Sequence, residues 1–181
     1  MDLPALTAVL EQAAPGARLE AVASIDAQPT LYADAVDLDR VLSALHDAPA
    51  LRFEVLAELT AVDFWPRDPR FELVYVLLSI QHRSRLRLKV RLPAADPHVS
   101  TACTIWPGAN WLEREVWDMF GIAFDGHPDP RRLLMPEDWE GFPLRKDFPV
   151  QIRMKPKTGE PMQVTEEEFR ANLQRDRLSR Q

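Results

Sequence analysis

The stretch from Asn110 to Pro149 holds most of the side chains that could carry chemistry. They are Glu113, Arg114, Glu115, Asp118, His127, Arg131, Arg132, Arg145, Lys146 and Asp147, with Trp139 among them. One interpretation is a carboxylate pair for glycoside hydrolysis, formed by Glu113 and Glu115 or by Asp138 and Glu140. Residues two apart on a helix face different directions, so neither pair is a specific signal. The stretch is thus open to two interpretations at this point. One is a surface that binds another protein, and the alternative is a stand-alone hydrolase built on residues 113–147.

A metal site is a second interpretation, because Asp125, His127 and Asp129 alternate along one short stretch. Imidazole and carboxylate groups suit transition metals and hard cations. The other histidines are His46, His82 and His98, outside this stretch, and no second ligand motif accompanies them. We predict no metal ligands in this chain and expect His127 to be a turn residue, hydrogen-bonded locally or to a partner.

Cys103 is the single cysteine, which excludes an internal disulfide and is too little for an iron–sulfur cluster. A nucleophilic cysteine needs a nearby histidine, and residues 100–110 contain none. We therefore predict a structural thiol. Because one cysteine cannot hold a cluster, we expect any redox cofactor to belong to a partner. The chain has only 6 glycines and no glycine-rich phosphate loop.

A helix is predicted over Trp111–Phe120. Asn110 followed by Glu113 is a capping-box pattern, and Gly121 stands where a C-terminal glycine would. Glu113 lies within the apolar arc of this helix, where an unpaired charge is costly. We expect its carboxylate either to bond back to the Asn110 backbone or to meet a cation from another segment. The available cations are Arg131, Arg132, Arg145 and Lys146.

Prolines recur every few residues after this helix, at Pro128, Pro130, Pro136, Pro143 and Pro149. Each proline removes a backbone donor and restricts the residue before it, so the segment builds no core of its own. Its anchors include Trp139, Phe142 and Phe148, and aromatic side chains of this kind are enriched at protein interfaces. We predict that the segment lies along another polypeptide and that its charged residues are interface or structural residues without a catalytic role.

The elements upstream must position this segment. The chain reads as a helix over residues 3–10, strands near 18–24 and 30–33, a helix after an N-cap at Asp37, and strands over 53–64, 71–80 and 85–92. Short connections favour an antiparallel meander for the last three strands. The pattern predicts a two-layer α+β fold with helices on one face of a mostly antiparallel sheet. We assign residues 1–125 to this domain and 126–181 to an extended partner-binding segment that ends in a short helix.

Two further surfaces have alternative interpretations. The last strand carries Arg85, Arg87, Lys89 and Arg91 on one face, which is either neutralised by Glu54 and Glu58 or a docking face for an acidic partner. Near the C-terminus, Thr165 and Glu168 form a second capping box, and Phe169 with Leu173 forms a thin apolar stripe. That helix is either a frayed charged end or a clip onto a partner.

Composition limits the classes of function. A formal net charge of −6 argues against nucleic-acid binding, which demands a basic surface. The longest apolar run, Leu73–Ile80, is far shorter than the roughly 18 to 20 residues that cross a bilayer. The N-terminus has an acid where a secretory signal carries positive charge. We expect a chain that stays on the cytoplasmic side and does not span a membrane.

Residues Glu113 to Pro149 resemble the signature of the thirty-kilodalton subunit family, which is the C subunit of the respiratory NADH–quinone oxidoreductase (complex I). The matching positions are Glu113-Arg114-Glu115, Asp118, Phe120, His127, Arg131 and Leu133-Leu134. Pro130 departs from the pattern, which has an apolar residue such as leucine there. The upstream order of helices and strands is similar as well, and the tail after Val150 matches loosely.

This resemblance implies a non-catalytic subunit in the peripheral arm of a proton-translocating NADH dehydrogenase. It implies that FMN and Fe–S clusters lie in other subunits and that electrons pass through them from NADH to a quinone such as ubiquinone. The implied partners are subunits D, B and I, of which D is the chief contact, on the cytoplasmic side of the cell membrane. The alternative is the equivalent subunit of a ferredoxin- or coenzyme-linked quinone reductase or of a membrane-bound hydrogenase.

Overall fold

The structure is a computed structural model that describes residues 3–149. Its helices are α1 (Leu3–Ala13), α2 (Leu38–Asp47) and α3 (Ala109–Phe120). Its strands are β1 (Leu19–Val22), β2 (Thr30–Ala33), β3 (Val55–Asp63), β4 (Phe71–Ser79), β5 (Ser84–Leu92), β6 (His98–Ser100) and β7 (Ala123–Asp125). The first five strands form one sheet in the order β1-β2-β5-β4-β3, in which only the β2–β5 pair is parallel. The predicted α+β fold with a mostly antiparallel sheet is confirmed.

One face of this sheet carries the core. Leu73, Tyr75 and Leu77 of β4 are fully buried, and the residues opposite them on β5 are buried on the same face. The helices cover this face with Leu6 and Leu10 of α1, Val41, Leu42 and Leu45 of α2, and Val116 and Met119 of α3. Burial of each such large side chain stabilises the fold by roughly 1.5–3 kcal/mol before conformational entropy is subtracted.

The start of α2 was predicted correctly, although Asp37 does not cap the helix with its side chain. Its carboxylate accepts a hydrogen bond from the Arg18 backbone N–H at 3.0 Å and pairs with Arg40. The acid therefore ties the chain entering β1 to the first turn of α2.

The cationic face of β5 is neutralised mainly within the sheet, but not by the acids that were predicted. The pairs are Arg87–Asp26, Lys89–Glu72 and Arg91–Glu20, with N···O distances of 2.6, 2.7 and 3.1 Å. The prediction of Glu54 and Glu58 was wrong because β5 lies between β2 and β4, one strand away from β3. Glu54 accepts the Ile80 N–H instead, at 2.9 Å.

Two three-residue strands were not predicted. β6 pairs in parallel with β7, from His98 opposite Ala123 to Ser100 opposite Asp125. The two strands flank α3 in the sequence, so their pairing brings the chain that enters the helix beside the chain that leaves it. Three residues are too few to show a period-two pattern, which explains the omission.

The contacts of residues up to Phe148 form one compact unit. This unit includes residues 126–148, which we call the ribbon, and the ribbon contains no helix or strand. The helix predicted near Thr165, with Phe169 and Leu173, lies outside the described residues. The conformation of the ribbon therefore depends on the hydrogen bonds and packing that its residues make with the rest of residues 3–148.

Candidate functional site

α3 begins at Ala109, earlier than predicted, and Asn110 does not cap it. Gly108 holds the N-cap position, and no side chain bonds the helix N-terminus there. The C-terminal prediction was correct, since Gly121 ends the helix with a φ of 72° and donates its N–H to the Trp117 carbonyl at 2.8 Å. Glu113 is consequently not a capping residue.

Glu113 is fully buried and bonds the segment that follows β6. Its carboxylate accepts hydrogen bonds from Thr101 Oγ1 and from the Ala102 backbone N–H, both at 2.6 Å. Cys103 Sγ lies 3.5 Å away as a third donor. Both expected arrangements, the local cap and the cation partner, were wrong. Burial raises the pKa of Glu113, although these donors oppose the shift.

The sequence did not reveal that Cys103, Glu113 and His127 form a cluster. Their Sγ, carboxylate oxygen and ring nitrogen all lie within 4.8 Å of one another, a spacing that would suit a metal ion. The hydrogen bonds of His127 argue against this. Its Nδ1 accepts the Asp129 N–H at 3.0 Å, so the proton of the neutral ring is on Nε2, which donates to the Asn110 carbonyl at 3.2 Å. A metal ligand needs a lone pair at that nitrogen and usually donates through the other one.

The same cluster does not form a nucleophilic site. Burial and the nearby Glu113 charge raise the pKa of the Cys103 thiol to about 11, while the Thr101 hydroxyl opposes them. A thiol with this pKa is almost entirely protonated at neutral pH. The His127 nitrogen that lies 3.9 Å from Glu113, Nε2, carries the ring proton and therefore offers no base there. The geometry agrees with a structural thiol and a locally bonded histidine.

Asp118 is the carboxylate that organises the ribbon, and its side chain is fully buried. Oδ2 accepts the backbone N–H groups of Leu133, Leu134 and Met135 at 3.1, 2.8 and 2.9 Å. Oδ1 accepts a hydrogen bond from Arg132 Nη1 at 2.6 Å. Burial alone would raise the pKa of Asp118, but these donors outweigh it and lower the pKa, so the carboxylate is ionised. One helix residue thus bonds three ribbon donors that have no strand partner.

Two arginines extend this connection between α3 and the ribbon. Arg114 donates from Nε to the Arg131 carbonyl at 3.0 Å and from Nη2 to the Arg132 carbonyl at 3.1 Å. Arg132 donates onward to the Trp139 carbonyl at 2.9 Å. Its guanidinium also lies over the Trp117 ring, with Cζ 5.5 Å from the centroid. The backbone carbonyls of the ribbon are therefore bonded by cations in the same way that its N–H groups are bonded by Asp118.

Arg145 binds the C-terminal end of α3. Its Nε donates to the Phe120 carbonyl at 2.5 Å, and the Leu144 N–H donates to the Met119 carbonyl at 3.0 Å. The last carbonyls of a helix have no partner within it, and a cation there complements the helix dipole. The guanidinium also lies 4.5 Å from the centroid of the Phe142 ring. Burial lowers the pKa of Arg145.

The end of the ribbon is fixed to the β3–β4 hairpin. Arg70 donates to Asp63 Oδ2 at 2.8 Å and to Asp147 Oδ1 at 2.6 Å. The Lys146 backbone N–H adds a bond to Asp63 Oδ2 at 2.8 Å. Burial would raise the pKa of Asp63, but its hydrogen bonds outweigh burial and lower the pKa to about 2. Sequence analysis missed Asp63 and Arg70, whose only signal is one acid and one cation at the two ends of the β3–β4 connection.

The ribbon therefore lies along α3 of its own chain. Arg114, Arg132 and Arg145 each bond groups within residues 3–148, and their contact with another polypeptide remains a prediction. Glu115 and the Lys146 side chain are exposed, Trp139 is half-buried, and Arg131 pairs with Asp129 at 2.6 Å. Their interface role remains a prediction.

Large apolar side chains are nevertheless exposed on the surface that α3 and the ribbon form. Trp111 on α3 is 59% exposed, and Leu134 and Leu144 on the ribbon are 56% and 54% exposed. Leu134 and Leu144 each have a backbone N–H bonded to α3. The same residues that hold the ribbon in place thus present apolar groups to its surroundings.

The fold and this site define an α+β protein in which a proline-rich ribbon is fixed on one helix. Residues 31–153 match the family described as the 30 Kd subunit of the respiratory-chain NADH dehydrogenase. The chain belongs to this family. Among residues 3–149, no helix has both the length and the apolar character needed to cross a bilayer.

Similar proteins carry the corresponding name. The chain is 47% identical over 134 residues to the NADH-quinone oxidoreductase C 2 subunit of Rhizobium meliloti, a match that covers 72% of this chain and 73% of the relative. It is 45% identical over 155 residues to the NADH-quinone oxidoreductase C subunit of Roseiflexus castenholzii, which covers 83% and 86% respectively.

Two solved structures have a similar fold. A trypsin-resistant fragment of Nqo5 aligns with a TM-score of 0.50 at 32% identity, covering 68% of this chain and 98% of the fragment. A chain of the membrane-bound sulfane sulfur reductase, an archaeal respiratory membrane complex, aligns with a TM-score of 0.67 at 26% identity, covering 81% and 85%. Nqo5 and this second complex indicate that the chain acts within a multi-subunit assembly.

Proposed function

We propose that this chain is a non-catalytic subunit of the peripheral arm of a proton-translocating NADH–quinone oxidoreductase. The observation that carries the proposal is the match of residues 31–153 to the 30 Kd family, which includes every residue that fixes the ribbon to α3. The activity belongs to the assembly, in which electrons pass from NADH through FMN and Fe–S clusters to quinone. This chain contributes a rigid surface that fixes the geometry of its neighbours.

The proposed role requires no cofactor in this chain, and FMN and the Fe–S clusters are assigned to partner subunits. Two features of the described residues support this assignment. The proton on Nε2 of His127 leaves that nitrogen without the lone pair that a metal ion would need. Cys103 is the single cysteine in the sequence, whereas an Fe–S cluster is usually held by about four cysteine thiolates.

The proposed partners are subunits D, B and I, with D as the chief contact, and the proposed location is the cytoplasmic side of the membrane. Support comes from the exposed Leu134 and Leu144, which lie on a segment held rigidly by α3. Apolar anchors on an ordered backbone are what the centre of a stable interface needs.

A related assembly is the main alternative, because the sulfane sulfur reductase chain shares the fold. Sequence identity favours the NADH-linked complex, at 47% to the Rhizobium meliloti relative against 26% to that chain. The flavin content of the complex that contains this chain separates the two possibilities.

The test is purification of the tagged chain from its own cells with a mild detergent. We expect subunits of an NADH–quinone oxidoreductase, bound flavin and iron, and NADH-dependent quinone reduction in the purified material. Leu134→Glu and Leu144→Glu should reduce the amount of recovered complex at least tenfold, because each places a charge at the centre of the contact. Ile25→Glu and Ile80→Glu, at positions 108% and 69% exposed, are matched controls and should leave recovery unchanged. Turnover by the isolated chain, or a complex without flavin, would contradict the proposal.

A further inference from the structure

We propose that Asp118 holds the ribbon in its partner-binding form before a partner arrives, and so controls assembly without touching the partner. The inference rests on the proposed function, since it assumes that the outer face of the ribbon is the contact surface. It concerns the conformation of the free chain, which the proposed function leaves open.

The first argument is the origin of order in the ribbon. Residues 126–148 contain no helix or strand, so few of their backbone groups can be bonded within the segment. Asp118 supplies one ionised carboxylate to three consecutive N–H groups, those of Leu133, Leu134 and Met135, within 3.1 Å. Successive backbone N–H groups that converge on an anion form a nest, and charge-assisted bonds of this type are stronger than neutral ones. The carboxylate therefore takes the place of a missing strand.

The second argument is geometric and concerns Leu134. Its N–H donates to Asp118 Oδ2 at 2.8 Å, while its side chain is 56% exposed. Asp118 itself is fully buried and lies beneath the ribbon. The acid consequently sets the position of an outward apolar group while it remains out of reach of any partner that docks on the folded chain.

The third argument is that a similar arrangement recurs at Met119 and Phe120, the two helix residues that follow Asp118 in the last turn of α3. Leu144 donates its N–H to the Met119 carbonyl at 3.0 Å and is 54% exposed. Arg145, its neighbour, bonds the Phe120 carbonyl. The backbone N–H groups of both exposed leucines are thus bonded to α3. Binding of a partner to these leucines therefore loses no conformational entropy from ordering the ribbon. Rigid surfaces of this kind bind more tightly than surfaces that order on contact. Asp118 is in this sense a positioning residue.

The decisive measurement is amide hydrogen exchange on the full-length chain alone at pH 7. We expect the amides of Leu133, Leu134 and Met135 to exchange at least about 100-fold more slowly than in an unstructured peptide. Exchange at the unstructured rate in the free chain would overturn the inference, whatever any variant does. This measurement uses no substitution and therefore does not depend on whether a variant folds.

Asp118→Asn tests control of assembly. We expect the three ribbon amides to exchange at least about tenfold faster, with core amides of β4 unchanged, and recovery of the complex from cells to fall at least tenfold. Glu72→Gln is the matched control, since it breaks the partly buried Lys89–Glu72 pair on the sheet. It should leave ribbon exchange and complex recovery within twofold of the unchanged chain.

The outcomes separate this inference from the proposed function. If Asp118→Asn gave the same recovery of the complex as the unchanged chain while its ribbon amides exchanged fast, order in the free ribbon would not be needed for assembly. This result would refute the inference but not the proposed function. Ordinary assembly by Leu134→Glu and Leu144→Glu would instead refute the contact surface in the proposed function. Slow ribbon exchange in the free chain with defective Asp118→Asn assembly supports both.

Discussion

Arg70 joins Asp63 to Asp147, and the N···O distance to Asp147 is 2.6 Å across 77 residues of sequence. The guanidinium donates two hydrogen bonds to each carboxylate. Its side chain is 9% exposed and that of Asp63 is 1% exposed. The end of the ribbon and the β3–β4 turn are consequently held by one cation shared between two acids.

We expect Arg70→Met to lower the free energy of unfolding by about 3–5 kcal/mol, because it leaves the buried Asp63 carboxylate without its cation. Urea unfolding at pH 7 measures this loss. Arg67→Met is the control, since Arg67 is exposed in the same turn and should change stability by less than about 0.5 kcal/mol. A loss below about 1 kcal/mol for Arg70→Met would show that the shared cation is not a main support of the fold.

The low pKa of Asp63 predicts an acid-dependent loss of stability. Its folded pKa is about 2, below the ordinary value of 3.8, so its contribution is fully present above about pH 4. That contribution, about 2 kcal/mol, is lost as the pH falls from about 4 through 2. The free energy of unfolding of the unchanged chain minus that of Asp63→Asn, measured from pH 6 to pH 2, should shrink over this interval. A constant difference would contradict the assignment.

The pH dependence of stability predicted for Glu113 has the opposite sign to that predicted for Asp63. Its folded pKa is raised above the ordinary value of 4.5, so its protonation stabilises the fold most below pH 4.5, and this contribution is lost as the pH rises through the folded pKa. The unchanged chain should therefore lose stability relative to Glu113→Gln as the pH is raised from 4 to 8. Unfolding of both proteins across this range measures the difference. A relative gain by the unchanged chain would mean that Thr101 and Ala102 outweigh burial.

Gly121 and Gly16 allow a matched test of crowding. Both have positive φ, at 72° and 78°, but a Cβ on Gly121 would lie 2.6 Å from Arg145 Nη2, whereas a Cβ on Gly16 would meet no heavy atom within 4 Å. Gly16→Ala should cost about 1 kcal/mol from backbone conformation alone. Gly121→Ala should cost about 2 kcal/mol more, because Arg145 and Phe142 must move. Thermal and urea unfolding compare the two, and equal losses would argue against tight packing of the ribbon on α3.

Cys103 should be a slow nucleophile. With a pKa of about 11, the thiol of the folded chain should react with iodoacetamide at pH 7.5 at least tenfold more slowly than in urea, where its pKa is ordinary. Glu113→Gln should accelerate the reaction in the folded chain, because it removes the neighbouring charge that raises the pKa. Equal rates in the folded and unfolded chains would contradict the raised pKa.

The main sheet and the end of α3 could be predicted from sequence because their signals are local. Alternation in β5 and the long apolar run of β4 fixed the strands, and Gly121 marked where the helix ends. The arrangement around Glu113 could not be predicted in this way. Its partners Thr101 and Ala102 reach it only through the β6–β7 pairing, which leaves no periodic pattern of its own.

The ribbon shows a second limit of sequence reasoning. A proline-rich stretch does need partners from elsewhere, and that part of the prediction was physically sound. The sequence could not tell that the partners were Asp118 and the last carbonyls of α3, because both are ordinary features of a helix until the chain turns back over them. Asp118 was identified as important only by its resemblance to a family signature.

The register of β6 on β7 determines which residues meet where the chain enters and leaves α3. A slip of one residue between Ser100 and Asp125 would turn each side chain of the shifted strand to the opposite side and carry Thr101 away from Glu113. Chain length between residues 101 and 122 is therefore fixed as tightly as the identity of the residues. The stretch around α3 should therefore keep its spacing in related chains, while insertions and deletions accumulate in exposed loops elsewhere.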